Sequence, residues 1–403
     1  MSDLFLRPSL DHCVKCTICE SACPVAAVTP LFPGPKYEGP QAERFRGTGP
    51  SPDASVDYCS GCGICTQVCP QGVKIAEINS RARAAYKAQV GVRWRDRLIA
   101  RPGLLGRLGS PTAPVANKVL ASTLARAAVE RVLGIHRDAP MPPFAFRPFR
   151  RWAAKHATVT GPTVAYFHGC STNWFEPHVG EKAVAVLERN GIGVRIPRRQ
   201  GCCGLPLQSN GLFDDARRHL RRLTAALVGD VRAGYPVVAT STSCGLMLKQ
   251  EGREILGLED DDDLRDVGRA TYDICEYLRD LLDEGRLDTN FRPVELTVAY
   301  HSPCQQRGHG IGKPALDLLA LVPGLRVIEL DVDCCGIAGT YGLKREKYDI
   351  AMQVGEQLFR DIRAVTPDVV ACDSETCRWQ ITHGSGAPTV HPIEILYRAY
   401  GLT

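Results

Sequence analysis

The 403-residue sequence has no uninterrupted apolar stretch that approaches the ~18 residues of a membrane-spanning helix, so any membrane contact is expected to be peripheral. Residues 1–8 lack a basic region followed by an apolar run, so no secretory signal is expected. A strand followed by a GxGxxG motif is also missing. Chemistry with a flavin or a nicotinamide is therefore expected on another chain.

The sequence also lacks a strong excess of charge, because its net charge is only +5, and no nucleic acid partner is expected. Cysteine, in contrast, is abundant, with 18 residues. Without an export route a disulfide framework is not expected, since the cytoplasm keeps thiols reduced. So many cysteines in a reducing compartment indicate metal ligands or redox chemistry.

Two cysteine runs share one spacing, Cys13-x2-Cys16-x2-Cys19-x3-Cys23-Pro24 and Cys59-x2-Cys62-x2-Cys65-x3-Cys69-Pro70. This spacing is typical of bacterial ferredoxins, in which three close thiolates hold one [4Fe–4S] cubane and the fourth holds the other. We therefore predict two clusters, with the ligand sets Cys13, Cys16, Cys19, Cys69 and Cys59, Cys62, Cys65, Cys23. Zinc is the alternative, but zinc sites need only CxxC pairs and do not explain the triplets.

Composition divides the chain into four regions: a ferredoxin-like domain (1–85), a basic linker (86–160) and two domains that each contain a Cys-Cys-Gly triplet. We call these the first CCG domain (161–290) and the second CCG domain (291–403). The basic linker has no cysteine, and its arginines and lysines alternate with apolar residues at helical spacing. It would lie on an anionic membrane surface or form a docking face for a partner protein. We favour the membrane.

The two CCG domains repeat one pattern. Val164-Ala165-Tyr166-Phe167-His168-Gly169-Cys170 resembles Val298-Ala299-Tyr300-His301-Ser302-Pro303-Cys304, and a Cys-Cys-Gly triplet recurs about the same distance on. Matching segments that are separated by nearly the same number of residues indicate a tandem duplication. Short β-branched runs alternate with amphipathic stretches: strands are expected at 163–167 and 236–240, with a helix over 179–190. This alternation predicts parallel α/β packing in both domains, and hence an α/β chain with an α-rich N-terminal segment and a helical linker.

Each repeat carries one cysteine, a vicinal pair and another cysteine, which we predict as further cofactor-binding residues. They are Cys170, Cys202, Cys203 and Cys244 in the first, and Cys304, Cys334, Cys335 and Cys377 in the second. A disulfide between vicinal cysteines would be strained, so metal binding or thiol redox chemistry is favoured over buried free thiols.

The two ferredoxin runs followed by two CCG domains resemble the iron–sulfur subunits of the heterodisulfide reductase, glycolate oxidase and lactate-utilisation group. Longer stretches resemble, within it, the C-subunit family of anaerobic glycerol-3-phosphate dehydrogenases. They are Phe32-Pro33-Gly34-Pro35-Lys36, Cys334-Cys335-Gly336-Ile337-Ala338-Gly339-Thr340-Tyr341-Gly342 and Glu375-Thr376-Cys377-Arg378-Trp379-Gln380. The resemblance implies a cytoplasmic protein, peripheral on the inner face of the cell membrane. It would take electrons from a flavin-containing dehydrogenase partner and pass them to menaquinone.

Relatives in this group bind an unusual cluster through CCG plus a Cys-x2-Cys, and here this sequence departs from them. Met247 stands in place of the second cysteine of the first domain, and Ser374 lies three residues before Cys377, with Cys372 nearby. Three alternatives stay open: each domain holds an ordinary four-cysteine cluster, one domain is empty, or Cys372 substitutes. One or two further clusters are thus expected.

Three further residues near these motifs are a cysteine and two histidines. Cys275 corresponds to Ile393 of the repeat, which favours a buried structural thiol. His168 and His301 are either proton donors to a reduced quinone or ordinary core histidines.

Two rival functions stay open. One is an electron-transfer protein for lactate or glycolate oxidation or for disulfide reduction, and the other is a scaffold whose CCG domains carry no chemistry.

Overall fold

A computed structural model describes residues 9–46, 53–158 and 160–402; residues 1–8, which include the region searched for a secretory signal, lie outside the described residues. The described chain contains two separate four-stranded parallel sheets, each covered by helices. This architecture confirms the predicted α/β class. Among the described residues, no helix combines the length and apolar composition needed to cross a membrane.

Short helices and one long helix form the ferredoxin-like domain. They are α1 (Ile18–Ser21), α2 (Ala42–Arg46), α3 (Ile64–Gln67) and α4 (Ile75–Val90), with a π-helical turn at Tyr37–Gln41 and a 3₁₀ turn at Ala54–Tyr58. The long helix α4 continues past residue 85, so the boundary expected from composition lies inside a continuous helix.

The basic linker consists of helices α5 (Trp94–Ile99), α6 (Pro102–Gly109), α7 (Ala113–Ala121), α8 (Thr123–Leu133) and α9 (Phe149–Ala153). Pro102 begins α6, where its fixed φ suits the first helical turn. The Ser122 hydroxyl accepts from the backbone N–H of Ala125 and caps α8. Gly134, in the left-handed conformation, ends that helix.

The first CCG domain is built on strands β1 (Thr163–Phe167), β2 (Gly193–Arg195), β3 (Val237–Ala239) and β4 (Thr271–Asp273) in the order β2-β1-β3-β4. Its helices are α10 (Gly169–Trp174), α11 (Pro177–Arg189), α12 (Leu205–Ser209), α13 (Phe213–Arg232), α14 (Thr242–Leu246), α15 (Gly252–Glu254), α16 (Asp262–Arg269) and α17 (Ile274–Asp283). The elements expected at 163–167, 179–190 and 236–240 correspond to β1, α11 and β3.

The second CCG domain repeats this order as β6-β5-β7-β8, with β5 (Leu296–Tyr300), β6 (Leu325–Glu329), β7 (Val369–Ala371) and β8 (Thr389–Val390). Its helices are α18 (Cys304–His309), α19 (Pro314–Leu319), α20 (Tyr348–Val365), α21 (Glu375–Ser385) and α22 (Pro392–Ala399). Identical strand order in the two sheets is what a duplication predicts.

One apolar core joins the two CCG domains. It contains Val164 and Tyr166 of β1, Val298 and Tyr300 of β5, and apolar residues of α11, α17, α19 and α22. Separate cores lie under the other face of each sheet. Because the domains share a core, the cysteine loops that follow their strands are held in a fixed relation to each other.

Candidate iron–sulfur sites

The structure gathers the ferredoxin cysteines into two groups of four, each lining its own cavity. Cys13, Cys16, Cys19 and Cys69 line one, together with Lys36. Cys23, Cys59, Cys62 and Cys65 line the other. In each group three cysteines come from one run and the fourth from the other run. The chain thus brings together the residues that the spacing had grouped.

The two cysteine loops have the same unusual backbone. Gly61 and Gly63 have φ angles of 72° and 81°, and the corresponding Lys15 and Thr17 have 59° and 70°. This left-handed region costs a non-glycine residue about 1–2 kcal/mol. The first loop carries that cost at two positions, which indicates that its shape is imposed by what the loop must hold.

Burial disfavours the thiolate form of four of these cysteines. It raises the pKa of Cys23 to about 11 and raises the pKa values of Cys19, Cys62 and Cys65 as well. The buried thiols of each group therefore need a cationic centre to ionise, and the irons of a cubane supply one. The donor set and its environment fit a [4Fe–4S] cluster at each site.

The CCG cysteines lie beyond the carboxyl ends of adjacent parallel strands. In the first domain Cys170 follows β1, the vicinal pair follows β2, and Cys244 follows β3. The second domain repeats this placement with Cys304 after β5, its vicinal pair after β6, and Cys377 after β7. Carboxyl ends of parallel strands meet at one edge of a sheet, so each set of four converges there.

The sulfurs within each set interact. The Cys335 thiol donates to the Cys377 sulfur over 3.0 Å, and this hydrogen bond lowers the pKa of Cys377 and raises that of Cys335. Cys202, next to Cys170, also has a lowered pKa because it accepts a hydrogen bond from that thiol. Each set thus provides close, mutually facing sulfur donors of the kind an iron–sulfur cluster requires.

Both triplets need their glycine. Gly204 and Gly336 have φ angles of 94° and 89°, and their N–H groups donate to the sulfurs of Cys202 and Cys334 at 3.5 and 3.4 Å. A Cβ on Gly204 would lie 2.9 Å from Ala216 O, and one on Gly336 would lie 1.9 Å from Ala351 O. Only glycine leaves room for the turn that aims a backbone donor at the vicinal sulfur.

One cavity of about 190 Å³ joins the two CCG domains. Its lining includes seven of the eight CCG cysteines, all except Cys202, and also Cys62 of the ferredoxin-like domain. Apolar residues of the basic linker complete it, namely Ile99, Pro102, Leu105, Met141, Pro142 and Phe144. The cavity is therefore a shared space between both cysteine sets, closed on one side by the linker.

The two residues at the departures from the family pattern lie in different surroundings, and only Ser374 lines the cavity that holds the CCG cysteines. Met247 is fully buried in the apolar core of the first domain. Ser374 begins α21 as its N-cap residue, and its hydroxyl lies 3.4 Å from that of Thr376. Cys372 belongs to the core of the second domain, where its thiol hydrogen-bonds to the Cys377 sulfur.

The two histidines differ in their surroundings. His168 Nδ1 lies 2.6 Å from Gly169 O, and burial lowers the pKa of His168 to about 4, so its ring is neutral at pH 7. His301 is fully buried beside Cys335 and Cys377. The sequence left His301 as either a proton donor or an ordinary core histidine, and its place beside two cysteines was not predicted. Its position opposite Phe167 in the repeat was the signal that set it apart.

The sequence did not reveal the surroundings of Cys275. Its sulfur lies within 4.8 Å of carboxylate oxygens of Asp273 and Asp373, and all three residues are buried. The Tyr300 hydroxyl donates to Asp373 over 2.7 Å, and burial raises the pKa of Asp373 to about 6. Cys275 is thus part of a polar group buried where the two domains meet.

Two arginines of the basic linker form ion pairs inside the molecule. Arg95 is buried and pairs with Asp96 and Glu346, and Arg101 pairs with Asp215. The remaining exposed basic residues include Arg97, Arg107, Lys118, Arg131, Arg147 and Arg151. Any surface that the linker offers to a membrane or partner is formed by this second set.

Two protein families match parts of this chain. Residues 9–73 match the 4Fe-4S dicluster domain family, and residues 164–249 and 298–382 each match the Cysteine-rich domain family. The chain therefore holds two [4Fe–4S] clusters in its N-terminal domain, and its cysteine-rich domains suggest further iron–sulfur clusters.

One relative matches nearly the whole chain, and others match about half of it. The sequence is 39% identical over 398 residues to the C subunit of the anaerobic glycerol-3-phosphate dehydrogenase of Escherichia coli (strain K12), covering 97% of this chain and 98% of the relative. The B subunit of the CoM/CoB fumarate reductase of Methanothermobacter marburgensis is 31% identical over 225 residues, 55% of this chain and 42% of the relative. Lactate utilization protein A of Oceanobacillus iheyensis is 28% identical over 242 residues, 58% of this chain and 96% of the relative.

Proposed function

Because the chain belongs to the family of anaerobic glycerol-3-phosphate dehydrogenase C subunits, iron–sulfur proteins that transfer electrons, we propose that it passes electrons from a flavin-containing glycerol-3-phosphate dehydrogenase partner to menaquinone. Cys13, Cys16, Cys19 and Cys69 would hold the first cluster, and Cys23, Cys59, Cys62 and Cys65 the second. The two CCG sets would hold the further clusters. Bound clusters supply one-electron transfer, which links a two-electron flavin to a quinone.

The observation that best supports this function is the order of the cysteine groups. The group containing Cys16 is at the surface, where that thiol is exposed. The group containing Cys23 is buried, and its Cys62 also lines the cavity that holds the CCG cysteines. Cys62 and Cys334 line this cavity together, and their thiolates would interact electrostatically. The groups thus form a series from an exposed end to an apolar-lined cavity.

The order also suggests where each redox partner meets the chain. The exposed loop of the first group carries Val14 and Ile18 at the surface and would face the flavin-containing partner. The cavity at the other end is lined by linker side chains such as Leu105 and Phe144, which suit an apolar quinone.

The basic linker would be the membrane contact. Exposed apolar side chains recur at four-residue spacing, as Leu104 and Leu108 on α6 and as Val115 and Val119 on α7. Exposed basic residues lie among them, and each contributes about 1 kcal/mol near an anionic lipid surface. A surface that is both apolar and basic suits a headgroup region.

Serine substitution of Cys334 and Cys335 tests the electron-transfer role. We expect the double variant to lose menaquinone reduction with the dehydrogenase partner, while the visible and paramagnetic signals of the ferredoxin clusters survive. A Cys275→Ser variant is the control, since Cys275 does not line the cavity. Full quinone reduction by the double variant would instead support the scaffold function.

Co-purification identifies the dehydrogenase partner. Co-purification with a lactate or glycolate oxidase would overturn the assignment to glycerol-3-phosphate.

Vesicle sedimentation tests the membrane contact. We expect the protein to sediment with vesicles that contain anionic lipid, and the combined substitution of Leu104, Leu108, Val115 and Val119 by Ser to abolish this. Phe45→Ser and Leu321→Ser remove exposed apolar side chains outside the linker and should leave sedimentation unchanged. If the linker variant sediments normally but no longer binds the dehydrogenase partner, the linker is the docking face.

A further inference from the structure

His301 is held next to two cysteines of the second CCG domain. It follows β5 directly, and its backbone N–H donates to Ala371 O at the end of β7 over 3.0 Å. A ring nitrogen of His301 and the sulfurs of Cys335 and Cys377 all lie within 4.8 Å of one another. Strand pairing therefore fixes this ring beside the cysteine set, in an environment with no access to solvent.

Neither nitrogen of the His301 imidazole has a nitrogen or oxygen atom as hydrogen-bond partner within the described part of the chain, and the ring faces the Cys377 sulfur. The Cys377 sulfur can engage only one of the two ring nitrogens, so the other stays buried without a partner, which costs on the order of 1–3 kcal/mol. Folded proteins rarely retain this cost without a compensating interaction. A metal ion beside the two sulfurs would provide that interaction, because imidazole nitrogen is a good iron ligand.

The duplication shows that this histidine is particular to one domain. The first domain has Phe167, the last residue of β1, at the equivalent position of the repeat, and Phe167 packs in an apolar core. The fold alone therefore does not need a histidine there. A serine lies three residues before the last cysteine in both domains, Ser241 and Ser374, and each is the N-cap residue of the helix that follows, so the histidine is what distinguishes the second domain.

We propose that His301 is a nitrogen ligand to iron in the second CCG domain, beside Cys335 and Cys377. This inference rests on the proposed function, which places an iron–sulfur cluster in that domain. Replacing a thiolate by imidazole raises the reduction potential of an iron–sulfur centre, as it does in Rieske proteins. His301 thus makes the second CCG domain more oxidising than the all-cysteine sites and favours electron arrival there.

Pulsed electron paramagnetic resonance of the anaerobically purified full chain tests this ligand. The second CCG domain should show the hyperfine coupling of a directly bound nitrogen. The coupling should change when isotopically labelled histidine is incorporated, and it should be lost in His301→Phe. A spectrum without such a coupling, or one that the His301→Phe variant retains, would overturn the proposal.

Three variants separate ligation from a structural role. His301→Phe copies the residue that the first domain already accommodates, so it should fold, as checked by thermal unfolding. His301→Cys should keep the cluster but shift its midpoint potential downward, whereas a purely structural histidine would leave the potential unchanged. Cys372→Ala and His168→Phe remove a nearby thiol and another buried histidine, and both should retain the nitrogen coupling.

Iron content distinguishes the two ways in which this test fails. If the wild-type chain has the iron of only two clusters, and Cys334→Ser with Cys335→Ser removes none, the second domain is empty. That result overturns the proposed function together with the ligand. If the second domain holds iron but shows no bound nitrogen, His301 is not a ligand and the proposed function stands.

Discussion

At the scale of single residues, steric room explains why a triplet and not just a cysteine pair recurs in the two CCG domains. A Cβ on Gly336 would lie 1.9 Å from the backbone oxygen of Ala351, in a helix that cannot move away cheaply. We expect Gly336→Ala to destabilise the protein by about 3 kcal/mol or more and to lower its iron content. Thermal unfolding and iron analysis measure both effects.

Gly386→Ala is the matched control for that substitution. Gly386 has a φ of 79°, similar to that of Gly336, but nothing lies within 4 Å of an added Cβ. It should cost only the backbone strain, about 1 kcal/mol, and leave the iron content unchanged. Equal effects of the two substitutions would show that backbone strain, not the close contact, determines the glycine.

The carboxyl group of Glu251 makes stability depend on pH. It lines a cavity with Glu77 and Arg83, and one of its oxygens is buried without a partner. Burial, followed by the nearby Glu77, raises the pKa of Glu251 from 4.5 to about 8. The folded state therefore binds the proton more tightly, so stability should fall as pH rises from about 4.5 to about 8.

Glu251→Gln should remove much of the loss of stability that accompanies the rise in pH. Thermal unfolding of the metal-loaded protein at a series of pH values measures this loss. Asp214→Asn, at an exposed carboxylate, is the control and should follow the wild-type curve. Parallel curves for wild type and Glu251→Gln would contradict the prediction.

At the scale of elements, a buried ion network fastens the basic linker to the second CCG domain. Arg95 of α5 pairs with Asp96 at 2.9 Å and with Glu346 at 2.7 Å, and Lys344 lies 3.4 Å from Asp96. Arg95→Met would leave the buried Asp96 short of positive charge, so we expect a loss of about 3–5 kcal/mol in denaturant unfolding. Arg286→Met, which breaks an exposed pair with Glu284, should change stability by less than ~1 kcal/mol. Similar losses from both would show that the network contributes no more than a surface pair.

The sequence predicted elements where local patterns dominate. The strand at 163–167 matches β1, because its continuous apolar run is buried on both faces, and the Cys-x2-Cys spacing grouped the ferredoxin cysteines as the structure does. The sequence did not predict which residues far apart in the chain contact each other. Arg95 appeared to be one more linker charge, and only the folded chain shows that it is buried against Glu346, 251 positions away.

At the scale of the whole molecule, duplication produced two similar domains that are not equivalent. The sequence predicted the repeat and its eight cysteines, since the spacing between matching segments can be read directly from the residue numbers. The shared cavity, the approach of Cys62 to Cys334 and the position of His301 depend on how the domains pack, which no spacing encodes. The packing is what turns four groups of cysteines into one series.

The most direct test of this series is the amount of iron and acid-labile sulfide per chain in anaerobically purified protein. We expect about twelve irons or more, because the two ferredoxin clusters account for about eight and at least one CCG domain adds a cluster. Serine substitution of Cys334 and Cys335 should remove the iron of the second CCG domain. A value of about eight irons in the wild-type chain, unchanged by that substitution, would contradict an electron path through the CCG domains.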